Sequence, residues 1–150
     1  MSLVPTSVSV VSCLNEGLIH GCTISSLVSV DVREENSEIV FVLKKQSLVG
    51  EKIKINGVFT INVLTADQVD QAKKYSAERL PERISGSSWI IESKFAEMPK
   101  SRIVLNCELL KIYEGHAADI FVGKVIEHSG DQSQPALIYN SRKYGRFQST

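Results

Sequence analysis

Short β-branched runs broken by turn residues, with only two helical stretches between them, constrain this chain more than any other feature. Residues 4–13 carry valines at 4, 8 and 10, a period-two spacing that puts side chains on one face of a strand. Asn15-Glu16-Gly17 reads as a tight turn, and extended character resumes over residues 18–32, so the two runs predict a hairpin. Residues 33–37 form a polar connection. Ile39-Val40-Phe41-Val42-Leu43 is an unbroken apolar run and predicts a strand buried on both faces. Further strands are expected at residues 58–64, 89–91, 101–113, 119–128 and 137–139, the last followed by a polar tail.

The helical signals are local. Ser47 stands as N-cap of a short helix reaching about Ile55, which Gly57 ends. Thr65-Ala66-Asp67-Gln68 has capping-box spacing, with Leu64 and Val69 as the flanking staple, and predicts a helix to about Ala77. Residues 80–88, with Pro81 and Gly86, form an irregular connection. Successive hairpins without regular strand–helix alternation argue for an antiparallel barrel rather than a doubly wound sheet. Closing such a sheet also removes vulnerable edges. A chain of 150 residues is long enough to bury one substantial core, so residues 1–150 are expected to form a single domain.

Lys+Arg and Asp+Glu are each 17, which leaves no global field to attract nucleic acid or an anionic membrane. An anionic ligand must therefore be caught by a local pocket. Cys13, Cys22 and Cys107 lack C-x-x-C spacing, and no secretion-signal pattern is visible, which suggests reduced thiols in a cytoplasm. His20, His116 and His128 do not pair with them at metal-ligand spacing, so no metal site is expected. The apolar runs are too short for a membrane span.

The familiar catalytic signatures, G-x-S-x-G, H-E-x-x-H, the P-loop and G-x-G-x-x-G, are missing. Gly115-His116-Ala117-Ala118-Asp119 offers one imidazole and one carboxylate without a fixed nucleophile, which is weak support for a hydrolase. A redox protein needs no such triad, because a bound cofactor carries the hard chemistry. Residues 21–30, Gly-Cys-Thr-Ile-Ser-Ser-Leu-Val-Ser-Val, cluster small hydroxyls in a strand-like stretch that suits a phosphate or a flat polar heterocycle.

A series of motifs in order carries a resemblance: Pro5-Thr6-Ser7-Val8-Ser9-Val10-Val11-Ser12, then Gly17 and His20-Gly21-Cys22-Thr23-Ile24-Ser25-Ser26. Phe41-Val42-Leu43-Lys44-Lys45-Gln46-Ser47, Phe59-Thr60-Ile61-Asn62-Val63-Leu64, Gln68 and Trp89 follow. Gly123-Lys124-Val125, Pro135-Ala136-Leu137-Ile138-Tyr139 and Arg142-Lys143-Tyr144-Gly145 close the series. Over nearly its whole length the chain resembles the flavin reductase-like proteins, whose fold is the FMN-binding split barrel. The resemblance implies a mainly β, antiparallel split barrel with Greek-key-like topology and a few peripheral helices.

It also implies a flavin site drawn from Ser7, Cys22, Thr23, Ile24, Ser25, Ser26, Lys45, Ser47 and Tyr144. Hydroxyls and backbone groups of the Gly-x-Thr-x-Ser-Ser segment would meet the ring edge and ribityl-phosphate, which ask for several short donors. Ser47, at a helix N-terminus beside Lys45, is a second phosphate contact on this reading. Each assignment has a plainer rival. Strand hydroxyls often satisfy neighbouring backbone, Ser47 could be only a cap, and Lys44 and Lys45 could be a solvated strand end. Asn62 is assigned to the barrel rather than to flavin, and Arg142 and Tyr144 either pack at a subunit interface or face the ligand.

Two departures from the family pattern stand out. Members carry a Gly-Asp-His triplet whose His lies near flavin and nicotinamide, and that position falls here on Ala118. Either the loop is longer and His116 still reaches the site, or the contact is absent. Arg33-Glu34-Glu35-Asn36-Ser37 replaces a usual proline pair near the ligand mouth. The function implied is an NAD(P)H-dependent flavin reductase, passing hydride from NADH or NADPH to N5 of FMN, or of FAD. Nicotinamide would stack over the flavin rather than occupy a separate domain. A homodimer with flavin sites between subunits and a monooxygenase partner are implied too. The alternative is a non-catalytic FMN-binding protein on the same barrel, and a haem-binding or pyridoxamine-oxidase-like member comes third.

Overall fold

A computed structural model describes residues 3–31, 35–77 and 80–150. The strands are β1 (Thr6–Ser7), β2 (Ser9–Asn15), β3 (Leu18–Ile24), β4 (Val28–Asp31), β5 (Glu38–Lys44), β6 (Val58–Val63) and β7 (Glu82–Arg83). They continue as β8 (Ile90–Glu92), β9 (Phe95–Glu97), β10 (Ile103–Glu114), β11 (Ala118–Ser129), β12 (Leu137–Asn140) and β13 (Lys143–Arg146). The helices are α1 (Leu48–Asn56) and α2 (Val69–Lys74).

Eight strands form one sheet in the order β4-β5-β11-β10-β6-β2-β3-β7, and every pairing in it is antiparallel. Ile24 from β3 and Ile39, Phe41 and Leu43 from β5 belong to the same core, although four strands separate them across the sheet. The sheet therefore curls on itself. Among the described residues no ladder joins β3 to β5, so the barrel stays split. Phe41 stacks on Phe121 at 5.2 Å and meets Phe59 edge-on at 5.1 Å, which fixes the centre of this core. The Phe59 ring occupies space beside Gly123, where a Cβ would lie 2.4 Å from it, so glycine is required there.

A second core lies outside the barrel wall, where α2 and the β8–β9 ribbon cover Val8, Val10, Ile19, Leu64 and Leu137 with Tyr75 and Trp89. Residues 4–13 are accordingly not one strand. β1 pairs with β12 in a three-stranded sheet with β13, whereas β2 joins the large sheet. Val8 marks the change, its N–H donating to Leu137 O at 3.1 Å and its carbonyl accepting from Leu64 N–H at 3.0 Å.

The predicted turns and caps form as the chemistry requires. The β2–β3 hairpin turns at Glu16 (φ 51°) and Gly17 (φ 75°), the double left-handed geometry that matches strand twist. Ser47 Oγ accepts from Gly50 N–H at 3.2 Å, and Gly57 (φ 71°) returns its N–H to Ile53 O at 2.8 Å. Gln68 Oε1 accepts from Thr65 N–H at 3.0 Å, closing the box.

Several boundaries differ from the sequence expectation. β5 is not buried on both faces: Ile39, Phe41 and Leu43 turn inward, but Val42 is 38% exposed on the outer face, which no helix covers among the described residues. The capping box opens a 3-10 turn, and α2 ends at Lys74 because Tyr75 breaks away to offer its carbonyl to Thr23 N–H at 2.9 Å. The extended run from Leu18 stops at Ile24 and resumes at Val28. The strand expected at 89–91 runs over Ile90–Glu92 and finds an unforeseen partner in β9, while the polar tail contains β13. Residues 32–34, part of the run to residue 32 and of the segment replacing the proline pair, lie outside the described residues.

Asn62 is fully buried in β6. Its Nδ2 donates to Val10 O at 2.9 Å and Ser12 Oγ at 3.0 Å, and its Oδ1 accepts from Met98 N–H at 2.8 Å. It stitches β2 and β6 to the segment after β9, as the sequence assignment to the barrel expects. Asn62→Ala strands Met98 N–H and Val10 O, so the expected loss is about 3 kcal/mol, measured as a fall in the urea midpoint.

Candidate functional site

A cavity of about 930 Å³ opens where the β3–β5 ladder is missing, at the upper end of the range for small-molecule sites. One wall is the end of β3 with Ser25 and Ser26, and the facing wall is the end of β5 with the first turn of α1. Tyr75, Ser76, Ala77, Leu80 and Pro81 form a third side, and the β10–β11 turn brings His116, Ala117 and Ala118 to the rim. Of the sequence-predicted residues, Cys22, Thr23, Ile24, Ser25, Ser26, Lys45, Ser47 and His116 line this space. Ser7 and Tyr144 do not. Ser7 pairs with Ile138 in the three-stranded sheet, and Tyr144 packs against Tyr139 at 5.1 Å, where burial pushes its phenol pKa up.

The hydroxyls divide by what they touch. Thr23 Oγ1 donates to Ala72 O at 2.7 Å, which ties β3 to α2. Ser26 Oγ accepts from Val42 N–H at 3.0 Å and lies 3.4 Å from Val42 O. Because Val28 and Val40 are the neighbouring backbone pair, Ser26 supplies by side chain the rung that β4 would have supplied by main chain. Ser47 caps α1. Ser25 is exposed toward the cavity with its hydroxyl uncommitted among the described residues.

The opposite end is electropositive. The N–H groups of Leu48 and Val49 head α1 without intrahelical acceptors, a ready anion site. Lys44 and Lys45 are lining residues, and no carboxylate lines the space among the described residues. Lys45 Nζ bonds Asp119 Oδ1 at 2.8 Å and Lys54 Nζ bonds Asp119 Oδ2 at 3.0 Å, with the Asp119 side chain only 3% exposed. Hydrogen bonds from the two ammonium groups hold the Asp119 carboxyl below the usual range, and Asp119 in turn raises Lys45. Asp119 thus holds Lys45 at the cavity side with Lys54 as its second partner, while Glu114 also acts on Lys45 and Glu51 stands in the first turn of α1.

His20 is 5% exposed and its Nε2 lacks a hydrogen-bond partner. Burial, and then Lys52, lower its pKa, so the imidazole is neutral at pH 7. Burial also pushes the Cys22 thiol up, which favours its protonated form. The third wall around Tyr75 escaped the sequence reading, because no local pattern announces which loop returns to a strand edge. Asp119 did leave a signal: period two places it on the inward face with Phe121, where a carboxylate needs cations.

An unclosed antiparallel barrel with its cavity at the split defines a split-barrel protein. Residues 1–148 match the flavin reductase like domain, and the chain belongs to that family. It is similar to the reductase component of an FADH(2)-dependent resorcinol hydroxylase from Rhizobium sp. (strain MTP-10005), 22% identical over 93% of this chain and 79% of that one. It is also similar to a flavin reductase of Pseudomonas putida, 24% identical over 95% and 84%. Its fold matches the NADH:FAD oxidoreductase of Streptomyces globisporus C-1027 in complex with NAD and FAD fragments, with a TM-score of 0.86, 20% identity and coverage of 97% and 87%.

The Asp119 cluster gives a pH test with a defined sign. A carboxyl depressed on folding stabilises the native state above its unfolded pKa of about 3.9, and that stability is lost as pH falls through the folded value. In thermal denaturation, Asp119→Asn should melt below the parent at pH 7, and the gap should shrink well below about pH 4.

Proposed function

We propose that the protein is a flavin reductase that draws hydride from NADH or NADPH and uses FMN, with FAD as the alternative flavin. One observation supports this most directly: a single cavity joins two strand ends rich in exposed polar groups to a positive end made by Lys44, Lys45 and α1. The α1 terminus and the two lysines suit the phosphate. Main-chain groups of residues 22–26 and the Ser25 hydroxyl suit the polar ring edge. When bound, flavin supplies a hydride acceptor at N5 and a two-electron carrier.

The chain's own work is binding, orientation and exclusion of water. Alignment carries such a transfer without a side-chain acid, in keeping with a lining free of carboxylates among the described residues. We assign His116, exposed at the rim, to the nicotinamide side. The hydroxylase-linked relative favours an oxygenase as recipient of the reduced flavin. The three free thiols suit a reducing compartment such as the cytoplasm.

A second copy of the chain completes this reading. Val42, Ile120 and Tyr113 are exposed on the outer face of β5, β11 and β10, cross-strand pairing of Ile120 with Val42 and Tyr113 makes them contiguous, and exposed Val28 of β4 pairs with Val40 beside them. Val42 also lines the cavity, so a subunit seated on this face would reach the ligand. Ser7 and Tyr144, outside the cavity of one subunit, would act on flavin only from a partner.

Titration of flavin fluorescence should show FMN or FAD binding, and NADH or NADPH should bleach the flavin absorbance anaerobically. A yellow protein that neither nucleotide bleaches would return the reading to a non-catalytic flavin binder. Ser25→Ala should weaken flavin binding about fivefold at unchanged melting temperature, the scale of one hydrogen bond. Ser26→Ala should instead lower the melting temperature. Sedimentation should give a dimer for the parent and a monomer for Ile120→Glu.

A further inference from the structure

Thr23 and Tyr75 are bound into one arrangement that the site's own contacts do not require. Thr23 N–H donates to Tyr75 O at 2.9 Å and Thr23 Oγ1 to Ala72 O at 2.7 Å, so the end of α2 is fastened to β3 by two bonds from one residue. The Tyr75 ring lies against Gly21, where a Cβ would come within 2.9 Å of it. The Tyr75 hydroxyl donates to Glu82 Oε1 and accepts from Trp89 Nε1 at 3.1 Å. Lys74 Nζ meets the same Glu82 oxygen at 3.2 Å. Glu82 belongs to β7 and pairs with Ile19 of β3. Tyr75 and Glu82 are thus both fixed to β3, and the bond between them makes a neck beside the cavity. Next to them, Ser76, Ala77, Leu80 and Pro81 wall the cavity.

We propose that Thr23, Tyr75 and Glu82 are positioning residues for the flavin: they set the third wall of the cavity against β3 and act on the ligand through that wall. The inference rests on the flavin reading. It also moves Thr23 from ligand donor to fastener, because its hydroxyl proton is already committed to Ala72 O. Gly21 serves the same end by seating the ring.

Trp89 is the single tryptophan of the chain and bonds Tyr75 directly, so its emission reports the neck without any flavin present. The variants are Thr23→Val, which keeps shape and removes the hydroxyl, Thr23→Ser, which restores it, and Tyr75→Phe, which removes only the hydroxyl held by Glu82 and Trp89. Thr23→Val and Tyr75→Phe should each weaken FMN binding about tenfold, equivalent to about 1.4 kcal/mol. Each should also move Trp89 emission to longer wavelength in flavin-free protein, and Thr23→Ser should return both readouts to the parent's. Weaker binding by Thr23→Val with unchanged Trp89 emission would make Thr23 a direct ligand contact and overturn the proposal. Altered emission with parental flavin affinity would overturn it as well, by leaving the wall without influence on the ligand. Should Thr23→Val fail to fold, Tyr75→Phe decides on both readouts. A parent protein that binds neither FMN nor FAD sinks the flavin reading itself, whereas parental binding matched by all variants sinks only this inference.

Discussion

Phe41 of β5 packs against Phe59 of β6 and Phe121 of β11, and that contact draws an eight-stranded sheet round until its far strands share a core. Hydrophobic burial has no direction, so it can bring β3 and β5 to the same interior without matching their backbones. Hydrogen bonding does have direction. The three residues between β3 and β4 carry the chain from one sheet end to the other, and no ladder then joins β3 to β5 among the described residues. Core packing closes the barrel in volume while the backbone leaves it open, and the cavity is that difference.

An opening of this kind exposes main-chain polar groups that must be answered by protein, water or ligand. The hydroxyls at the split show how the first option is used. Ser26 answers Val42 on the β5 side, and Thr23 answers Ala72 on the β3 side, while the Tyr75 carbonyl takes the Thr23 amide. The strand ends are thus held in a fixed relation before any ligand arrives. Preorganisation of this sort lowers the ordering cost of binding. Ser25, left exposed between two committed neighbours, is the hydroxyl the frame can spare.

The strand pattern, the Glu16-Gly17 turn, the Ser47 and Gly57 caps and the capping box were legible because each is decided within a few residues. The limits of β5 and α2 were not. Val42 reads as a core residue in a run of five apolar residues, but it lies on the outer face, which no helix covers among the described residues. Tyr75 continues a helical pattern, and only the free edge of β3 draws it away. The site followed the same division. The segment from Cys22 to Ser26 was found by composition, but which hydroxyls remain available was settled by partners 16 and 49 residues distant. Ser7 and Tyr144 lie on the three-stranded sheet, a placement that depends on Val8 handing the chain from one sheet to another.

The electropositive end obeys a similar economy. Lys45 and Lys54 converge on Asp119, which is nearly enclosed and whose ionised form their hydrogen bonds favour. A single lysine would leave the pair neutral, and the helix terminus would then be the main attraction for an anion. With two, the carboxylate is balanced by Lys54 as well, and Lys45 stays at the side of the cavity where the α1 N–H groups converge, although Glu114 also acts on it and Glu51 stands in the first turn of α1. Asp119 thereby does for the lysines what Thr23 does for Tyr75. A residue that need not touch the ligand fixes one that lines its cavity, and the inward register of β11 is what brings it within reach.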